Sequence, residues 1–215
     1  MPRCPAFAGV ILAAGESSRM GRDKALLPWP PLAVAPVAVG NEARARDTFL
    51  SAAIHSLADA TDFVVVVVGR NEAELAPIVY ACGADIVVNS DPAVGQFSSL
   101  QVGLPEVLKR GRDAAIVTLV DRPPAAQATV QALRDAFIAA PDHIWAVVPE
   151  FAGKHGHPYI AGRQMIEAFL QAPPTANARD IEHSCASHIQ YVAVNDPCVA
   201  MNINSPEDYA SLIPR

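Results

Sequence analysis

The sequence predicts a three-layer α/β fold, in which a mostly parallel, doubly wound sheet lies between two layers of helices. The first reason is that short, continuous apolar runs recur along the 215 residues, as expected for strands that are buried on both faces. The second is that segments with helical spacing separate several of these runs, and alternating strands and helices form crossover units. The length is ordinary for one α/β domain, so we expect a single domain over residues 1–215.

Five apolar runs are predicted to be the strands of the sheet. They are Val10–Ala13, Phe63–Val68, Asp85–Asn89, Ala114–Val120 and Ile144–Val148. Open α/β sheets bind ligands at the carboxyl ends of their strands. The residues that directly follow these runs are therefore the first candidates for a functional site.

Three segments with apolar residues three and four apart are predicted to be helices. They are Arg46–Leu57, Ser98–Leu108 and Ala125–Ala139. Further along, "GKHGHPYIAGRQ" predicts a hairpin or bent strand, and "PPTANARDIEHSCAS" a loop and a helix. "MNINSPEDYASLI" predicts the end of a strand followed by a helix that Ser205 caps, with Pro206 at its first position. The stretch 28–45, rich in proline and alanine, predicts a surface excursion.

Composition excludes several classes of protein. With 51% hydrophobic and only 18% charged residues, the chain has material for a core and is not predicted to be disordered. The net charge is −6 and no basic tract stands out, so nucleic acid and anionic membranes are not expected partners. No apolar run approaches the ~20 residues needed to cross a bilayer, and the N-terminus lacks the pattern of a secretory signal. The four cysteines are scattered without a CxxC pair, which favours reduced thiols and a cytoplasmic protein.

The segment "GESSRMGRDK", residues 15–24, follows the first predicted strand and favours an anion. Its small residues let backbone N–H groups approach a ligand, and such concavities bind anions. The two cations Arg19 and Lys24 suit a polyphosphate better than a single carboxylate. The segment is not a P-loop, because Lys24 comes three residues after Gly21, and it is not GxGxxG. A solvated loop with incidental charges is the alternative interpretation.

Residues 10–28, "VILAAGESSRMGRDKALLP", resemble the signature of the nucleotidyltransferases that include the molybdenum cofactor guanylyl- and cytidylyltransferases. Four later segments resemble landmarks of that family in the same order: "GQFSSLQVGL", "VTLVDRPP", "GKHGHP" and "NINSPEDY". The resemblance spans residues 10–209 and is closer to the cytidylyltransferase branch. It implies a Rossmann-like nucleotidyltransferase fold and transfer of a nucleotide, CMP from CTP, to phosphorylated molybdopterin with release of pyrophosphate.

The resemblance also implies roles for individual residues. Arg19 and Lys24 would neutralise the triphosphate and act with Asp121 in catalysis. The nucleotide would lie against Leu12, Ala13, Ala14, Gly15, Gly21, Asn89, Ser98 and Ser99. Capping of a helix is the alternative role of the two serines.

Asp121 directly follows the fourth apolar run, so it lies at the carboxyl end of a strand, where a carboxylate can hold Mg²⁺. Many acids at strand ends only cap the next helix, which is the alternative. The resemblance implies Asn204 as a second ligand of Mg²⁺. Here an amide replaces the usual aspartate, and Asn202 likewise replaces an acid. Arg122 stands where the family often has an apolar residue.

Gly156, His157 and Pro158 lie in the segment that, by the resemblance, faces the acceptor. A tight turn into a strand is the alternative. His155 and His157 could also bind a metal together with His183, Cys185 and His188. This zinc interpretation is an alternative, although the spacing matches no common zinc site.

Other functions stay open at this point. A non-catalytic carrier would bind finished molybdenum cofactor and hand it to an apo-molybdoenzyme. A sugar-phosphate nucleotidyltransferase would use the same chemistry on another acceptor. An oxidoreductase would bind NAD(P)H without metal, although a hydride donor has no γ-phosphate for Arg19 and Lys24 to neutralise.

Overall fold

The computed structural model describes residues 5–15, 23–31 and 47–212. Arg19 and Gly21 lie outside this part of the chain, as does most of the proline- and alanine-rich stretch 28–45. The strands are β1 (Phe7–Leu12), β2 (Val64–Val68), β3 (Asp85–Val88), β4 (Ala114–Leu119), β5 (Ala146–Phe151), β6 (Lys154–His155), β7 (Tyr159–Gly162) and β8 (Ile189–Ala193). The helices are α1 (Phe49–Ala58), α2 (Glu72–Ala81), α3 (Gln96–Lys109), α4 (Gln127–Ala139), α5 (Arg163–Gln171), α6 (Ala178–Ser184) and α7 (Pro206–Ser211).

The described strands form one mixed sheet with the order β3-β2-β1-β4-β7-β5-β6, and β8 pairs with β5. Neighbours β3, β2, β1 and β4 all run parallel, and so do β5 and β8. Strand β7 is inserted antiparallel between β4 and β5. The predicted mostly parallel sheet is confirmed.

Helices cover both faces of the sheet. On one face, α1, α2 and α4 bury apolar side chains such as Leu50, Leu75 and Leu133 in a common cluster. On the other, α3 and α5 bury side chains such as Leu104 and Met165. The even and odd residues of β1 divide between these two clusters, as the period of a strand requires. The predicted three-layer, doubly wound architecture is thus confirmed.

Most predicted elements are present. The five apolar runs correspond to β1–β5, the hairpin segment to β6 and β7, and the predicted helices to α1, α3, α4, α6 and α7. Ser205 caps α7: its Oγ accepts a hydrogen bond from Asp208 N at 3.2 Å. Helices α2 and α5 and strand β8 were not among the predicted elements. The strand end predicted just before α7 is wrong: residues 201–204 form no strand, and Ile203 N donates to Asp121 O at the end of β4. No helix in the described ranges is long and apolar enough to cross a membrane.

Two strand contacts determine which segments meet at the carboxyl edge of the sheet. Val120 N donates to Leu12 O at 3.1 Å, which places the segments after β1 and β4 side by side. Tyr159 of β7 lies opposite Val117 of β4 in antiparallel register. The residues just before β7 therefore reach the same edge at which β4 ends.

Candidate active site

A cavity of about 160 Å³ lies at the carboxyl ends of β1 and β4. Six residues that the sequence singled out line it together: Leu12, Ala14, Gly15, Lys24, Ser99 and Asp121. Four further predicted residues, Ala13, Asn89, Ser98 and Asn204, do not line it. The structure thus gathers three separate motifs around one space, although their contact with a nucleotide stays a prediction.

Asp121 and Lys24 face each other in this cavity. Lys24 Nζ lies 3.7 Å from Asp121 Oδ2, and the two side chains are 12% and 31% exposed. The other carboxylate oxygen, Oδ1, is buried and has no hydrogen-bond partner among the described residues. A buried oxygen of an ionised carboxylate is costly unless a donor or a cation satisfies it. Asp121 therefore offers an unused ligand atom.

Asp121 does not cap the next helix, so that alternative is wrong. The start of α4 is served by Asp196, whose Oδ2 accepts from Ala126 N at 2.8 Å and Thr129 Oγ1 at 2.9 Å. Asp196 comes from a segment far along the chain and is itself buried. The carboxylate of Asp121 is left available for the cavity.

Asn204 is brought beside Asp121 through the main chain. Ile203 N donates to Asp121 O at 2.9 Å, and Asn204 is exposed. Asn204 N donates to Asp208 Oδ2 at 2.8 Å. Hydrogen bonds from the backbone of Asn204 and Ser205, with a smaller effect of the Lys24 charge, lower the pKa of Asp208.

The residues around Asp121 fit a magnesium ion. Mg²⁺ uses one or two protein oxygens and takes its other ligands from phosphate and water. Asp121 Oδ1 matches that requirement as one ligand, and Asn204 follows directly on Ile203, whose N–H binds Asp121 O. No group of three or more His, Cys, Asp or Glu in the described part of the chain could hold a metal, so a cage supplied wholly by such side chains is not present there. The zinc interpretation of His183, Cys185 and His188 is wrong for the same reason.

Asn71 joins the segments that shape the cavity, and sequence analysis missed it. Its Nδ2 lies 2.9 Å from Ala13 O and 2.6 Å from Asp23 Oδ2, and its Oδ1 accepts from Gly69 N at 3.0 Å. Asp23 in turn accepts from Ala25 N at 2.9 Å and so fixes the turn that carries Lys24. Ala13 thus contributes its carbonyl to this network. The only signal in the sequence was a polar residue shortly after a strand.

Asn89, Ser98 and Ser99 form a buried network at the start of α3. Asn89 Nδ2 donates to Ser98 Oγ at 2.9 Å and Ser99 Oγ at 3.0 Å. Gly95 is the N-cap residue of α3 and no side chain caps it, so the capping role considered for the serines is wrong. Ser99 lines the cavity, whereas Asn89 and Ser98 do not. Asn89 instead holds the Ser99 hydroxyl in place through its hydrogen bond.

A larger cleft of about 1110 Å³ adjoins the cavity, and Leu12 and Gln96 line both. Gly156 and His157 line this cleft, together with Asn202. Pro158 is buried and does not line it. The hairpin segment predicted to face an acceptor is therefore at the wall of a cleft that opens next to Asp121.

Gly156 is held against the main chain of Val199. A Cβ at Gly156 would lie 1.7 Å from Val199 O, and His157 N donates to that same oxygen at 3.0 Å. The tight entry into β7, considered as the alternative role of this segment, is thus present. Contact of the segment with an acceptor stays a prediction.

Arg122 and His157 line the cleft side by side and form what we call its floor. Arg122 Nη1 donates to Val199 O at 3.2 Å, while its Nε and the His157 Nδ1 are buried without a hydrogen-bond partner in the described chain. Burial, and then the neighbouring Arg122 charge, lower the pKa of His157 to about 3. The imidazole is therefore neutral at pH 7. Burial also lowers the pKa of Arg122, and the charge of Asp121 opposes this effect.

Residues of α6, β6 and β8 also line the cleft. Burial raises the pKa of Glu182, and the charge of Arg179 opposes this. Burial, and then the Glu182 charge, raise the pKa of the Tyr159 hydroxyl. His155 and Tyr191 stack with ring centroids 3.9 Å apart at the mouth of the cleft. The cleft thus combines aromatic surface with hydrogen-bonding groups.

Residues 9–189 match the model of the MobA-like NTP transferase domain. The chain belongs to this family. The predicted family is therefore confirmed, and with it a nucleotidyltransferase enzyme class. The matched range contains the segment that carries Lys24, the end of β4 with Asp121, and the hairpin with His157.

Relatives of the family differ in the nucleotide that their names give. A probable molybdenum cofactor guanylyltransferase of Rhodopirellula baltica is 31% identical over 55% of this chain, and the match spans only half of that relative's length. The molybdenum cofactor cytidylyltransferase of Escherichia coli is 25% identical over 93% of this chain and 92% of its own.

A solved structure supports the fold across nearly the whole chain. Rv0371c of Mycobacterium tuberculosis is 26% identical, covers 96% of this chain and 97% of its own, and superposes with a TM-score of 0.76. A second structure of Rv0371c is a complex with manganese, at 25% identity, the same coverage of both chains and a TM-score of 0.72. The likeness confirms the predicted Rossmann-like nucleotidyltransferase fold.

Proposed function

We propose that this protein is a magnesium-dependent cytidylyltransferase that transfers CMP from CTP to the phosphate of molybdopterin and releases pyrophosphate. The observation that carries the proposal is the cavity where Lys24 faces Asp121 with one unsatisfied carboxylate oxygen, directly beside a large cleft. A polyphosphate with its cation suits the cavity, and an acceptor suits the cleft. The assignment of CTP rests on the resemblance of "SSL" and "GHP" to the cytidylyltransferase branch.

In the proposed reaction, an oxygen of the acceptor phosphate attacks the α-phosphorus of CTP. A new P–O bond forms, the bond to the pyrophosphate oxygen breaks, and pyrophosphate leaves with the electron pair. The nucleophile is already an anion, so no general base is required. The work of the protein is to position the two phosphates and to neutralise their charge.

Each part of the site has a role in this proposal. Lys24, with Arg19, would neutralise the β- and γ-phosphates beside the backbone of residues 14–21. Asp121 and Asn204 would hold Mg²⁺, which when bound adds positive charge against the phosphate oxygens. The manganese complex of Rv0371c supports a divalent ion in this fold.

The decisive assay is pyrophosphate release by the purified protein with molybdopterin, Mg²⁺ and one of CTP, GTP, ATP or UTP. Of the four nucleotides, we expect CTP to be the only one that gives pyrophosphate release in the presence of molybdopterin and Mg²⁺. Lys24→Ala and Asp121→Ala should each lose roughly 10²–10³ in kcat, as is typical for one preorganised charge partner. Lys109→Ala, which removes a surface lysine paired with Glu106, is the matched control and should keep full activity.

The outcomes separate the alternatives. Release with GTP instead of CTP would overturn the choice of nucleotide and keep the chemistry. Binding of finished cofactor without pyrophosphate release would favour the carrier that delivers to an apo-molybdoenzyme, a role that the neutral Asn202 and Asn204 motivate. Near wild-type turnover of Lys24→Ala or Asp121→Ala would refute their roles.

Thermal unfolding measures nucleotide binding separately. With Mg²⁺ present, CTP at ~100 times its Kd should add about 2.7 kcal/mol of stability, which raises Tm by roughly 5–10 °C.

A further inference from the structure

Arg122 lies at the junction between the cavity and the cleft. It directly follows Asp121 in sequence, yet it lines only the cleft. Its Nη1 is fixed by a hydrogen bond of 3.2 Å to Val199 O. The guanidinium is thereby held on the acceptor side of the place where the two phosphates would meet.

Arg122 lines the cleft without a carboxylate partner among the described residues. Arg110, Arg112 and Arg163 each form a salt bridge with a carboxylate, and Arg134, which has none in the described chain, lies over the Phe7 ring. The buried Nε of Arg122 has no hydrogen-bond acceptor there, as is also true of Arg112 and Arg134, but of these arginines Arg122 is the one that lines the cleft. Burying a cation without a paired anion is costly. A site that keeps such a cation is prepared for an anion from outside the protein.

The neighbours of Arg122 compensate its charge only in part. The charge of Asp121 acts on Arg122, but the Asp121 carboxylate faces Lys24 in the adjoining cavity and forms no salt bridge with Arg122. His157 is neutral at pH 7, and Asn202, which also lines the cleft, is an amide. Arg122 therefore keeps donor capacity for an anion on this side of the cleft.

We propose that Arg122 binds the terminal phosphate of the acceptor and makes the enzyme select phosphorylated acceptors. This inference rests on the proposed function and deepens it, because it assigns the group that recognises the nucleophile. Guanidinium groups bind phosphate through paired, charge-assisted hydrogen bonds. The bond to Val199 O occupies one donor and leaves the others for the phosphate.

The test measures anaerobic binding of molybdopterin, followed by pterin fluorescence, to the nucleotide-free protein. The phosphorylated compound is compared with the same compound after phosphatase treatment. The proteins are wild type, Arg122→Gln, Arg122→Lys and Arg179→Gln. Arg179 also lines the cleft but is exposed on α6, so its variant is the matched control for loss of one positive charge. Thermal unfolding of each variant reports whether the loss of the bond to Val199 disturbs the fold.

We expect wild type and Arg179→Gln to bind the phosphorylated form about 10- to 100-fold more tightly than the dephosphorylated form. Arg122→Gln should lose this ratio while binding the dephosphorylated form normally, and Arg122→Lys should keep part of it. A ratio retained in Arg122→Gln, or one lost equally in Arg179→Gln, would overturn the proposal. So would a wild type without any preference or without binding. The CTP-dependent rise in Tm is independent of Arg122, so it shows separately whether the proposed nucleotide function fails.

Discussion

Substitution of Gly156 by alanine tests the contact that forms the floor of the cleft. The new Cβ would lie 1.7 Å from Val199 O and 2.4 Å from its carbonyl carbon. Real Cβ atoms essentially never come closer than 3.0 Å to such an atom. Both neighbours are main-chain atoms and cannot rotate away. The segments that carry Gly156 and Val199 must therefore separate by roughly 1.3 Å.

That separation is large enough to break the hydrogen bonds to Val199 O. His157 N lies at 3.0 Å and Arg122 Nη1 at 3.2 Å from this oxygen. A backbone hydrogen bond contributes about 1 kcal/mol and one from a charged group about 1.5–3 kcal/mol. We expect Gly156→Ala to lose about 2–4 kcal/mol of unfolding free energy. For a chain of this length, that lowers Tm by about 5–15 °C.

The measurement is urea and thermal denaturation followed by circular dichroism. The matched control is Gly15→Ala, because no described residue has an atom within 4 Å of a Cβ at Gly15 and its backbone is not left-handed. Its unfolding free energy should change by no more than about 1 kcal/mol. If Gly156→Ala unfolds within about 2 °C of wild type, the close approach to Val199 is refuted.

Two further predictions concern single side chains. The pKa of His157 in the folded protein, about 3, lies below its ordinary value of 6.5. Between these two pH values the unfolded chain binds more protons than the folded protein. The unfolding free energy of the wild type therefore falls as the pH drops, by up to about 1.4 kcal/mol per pH unit. His157→Asn removes this pH dependence, so the difference in unfolding free energy between wild type and variant should change from pH 7 to pH 5. A difference that stays constant over this range would contradict the low pKa of His157. Asn71→Ala and Asp196→Ala each lose about three hydrogen bonds, and we expect both to lower stability by roughly 1–3 kcal/mol in urea titrations. Only Asn71→Ala should also weaken CTP binding in calorimetry, because Asn71 holds the turn of Lys24; equal affinities would refute that role.

The strands of the parallel sheet were predictable because short, continuous runs of apolar residues favour buried strands. Five consecutive valines form β2, and they are buried on both faces. Strand β8 was missed because it pairs on only one described side, with β5, and its residues alternate in exposure. Helix α2 contains Pro77, which argues against a helix in sequence alone. Helix α5 begins at the residue after β7 ends, so no loop segment in the sequence marks its start.

The candidate site was predictable where it depends on strand ends. Lys24 and Asp121 each follow a strand, and parallel strands bring such residues to one edge. Asn71 and Asp196 were missed because their roles exist only through contacts with remote segments. Asp196, for example, serves the start of α4 from 70 residues away. The setting of Arg122 likewise depends on Val199, and no local pattern encodes that pairing.

The carbonyl of Val199 has a consequence for how the protein is made. Ile203 joins the main chain of Asp121, and Val199 supports the floor of the cleft through His157 and Arg122. The parallel half of the sheet, β1 to β4, is complete by residue 119. During synthesis, the cavity walls at the ends of β1 and β4 can thus assemble long before residues 199–204 leave the ribosome. Those last residues bring both the second ligand of the proposed Mg²⁺ site and the carbonyl that holds Arg122 and His157, so a nascent chain would pass through a stage with a formed sheet and an incomplete site.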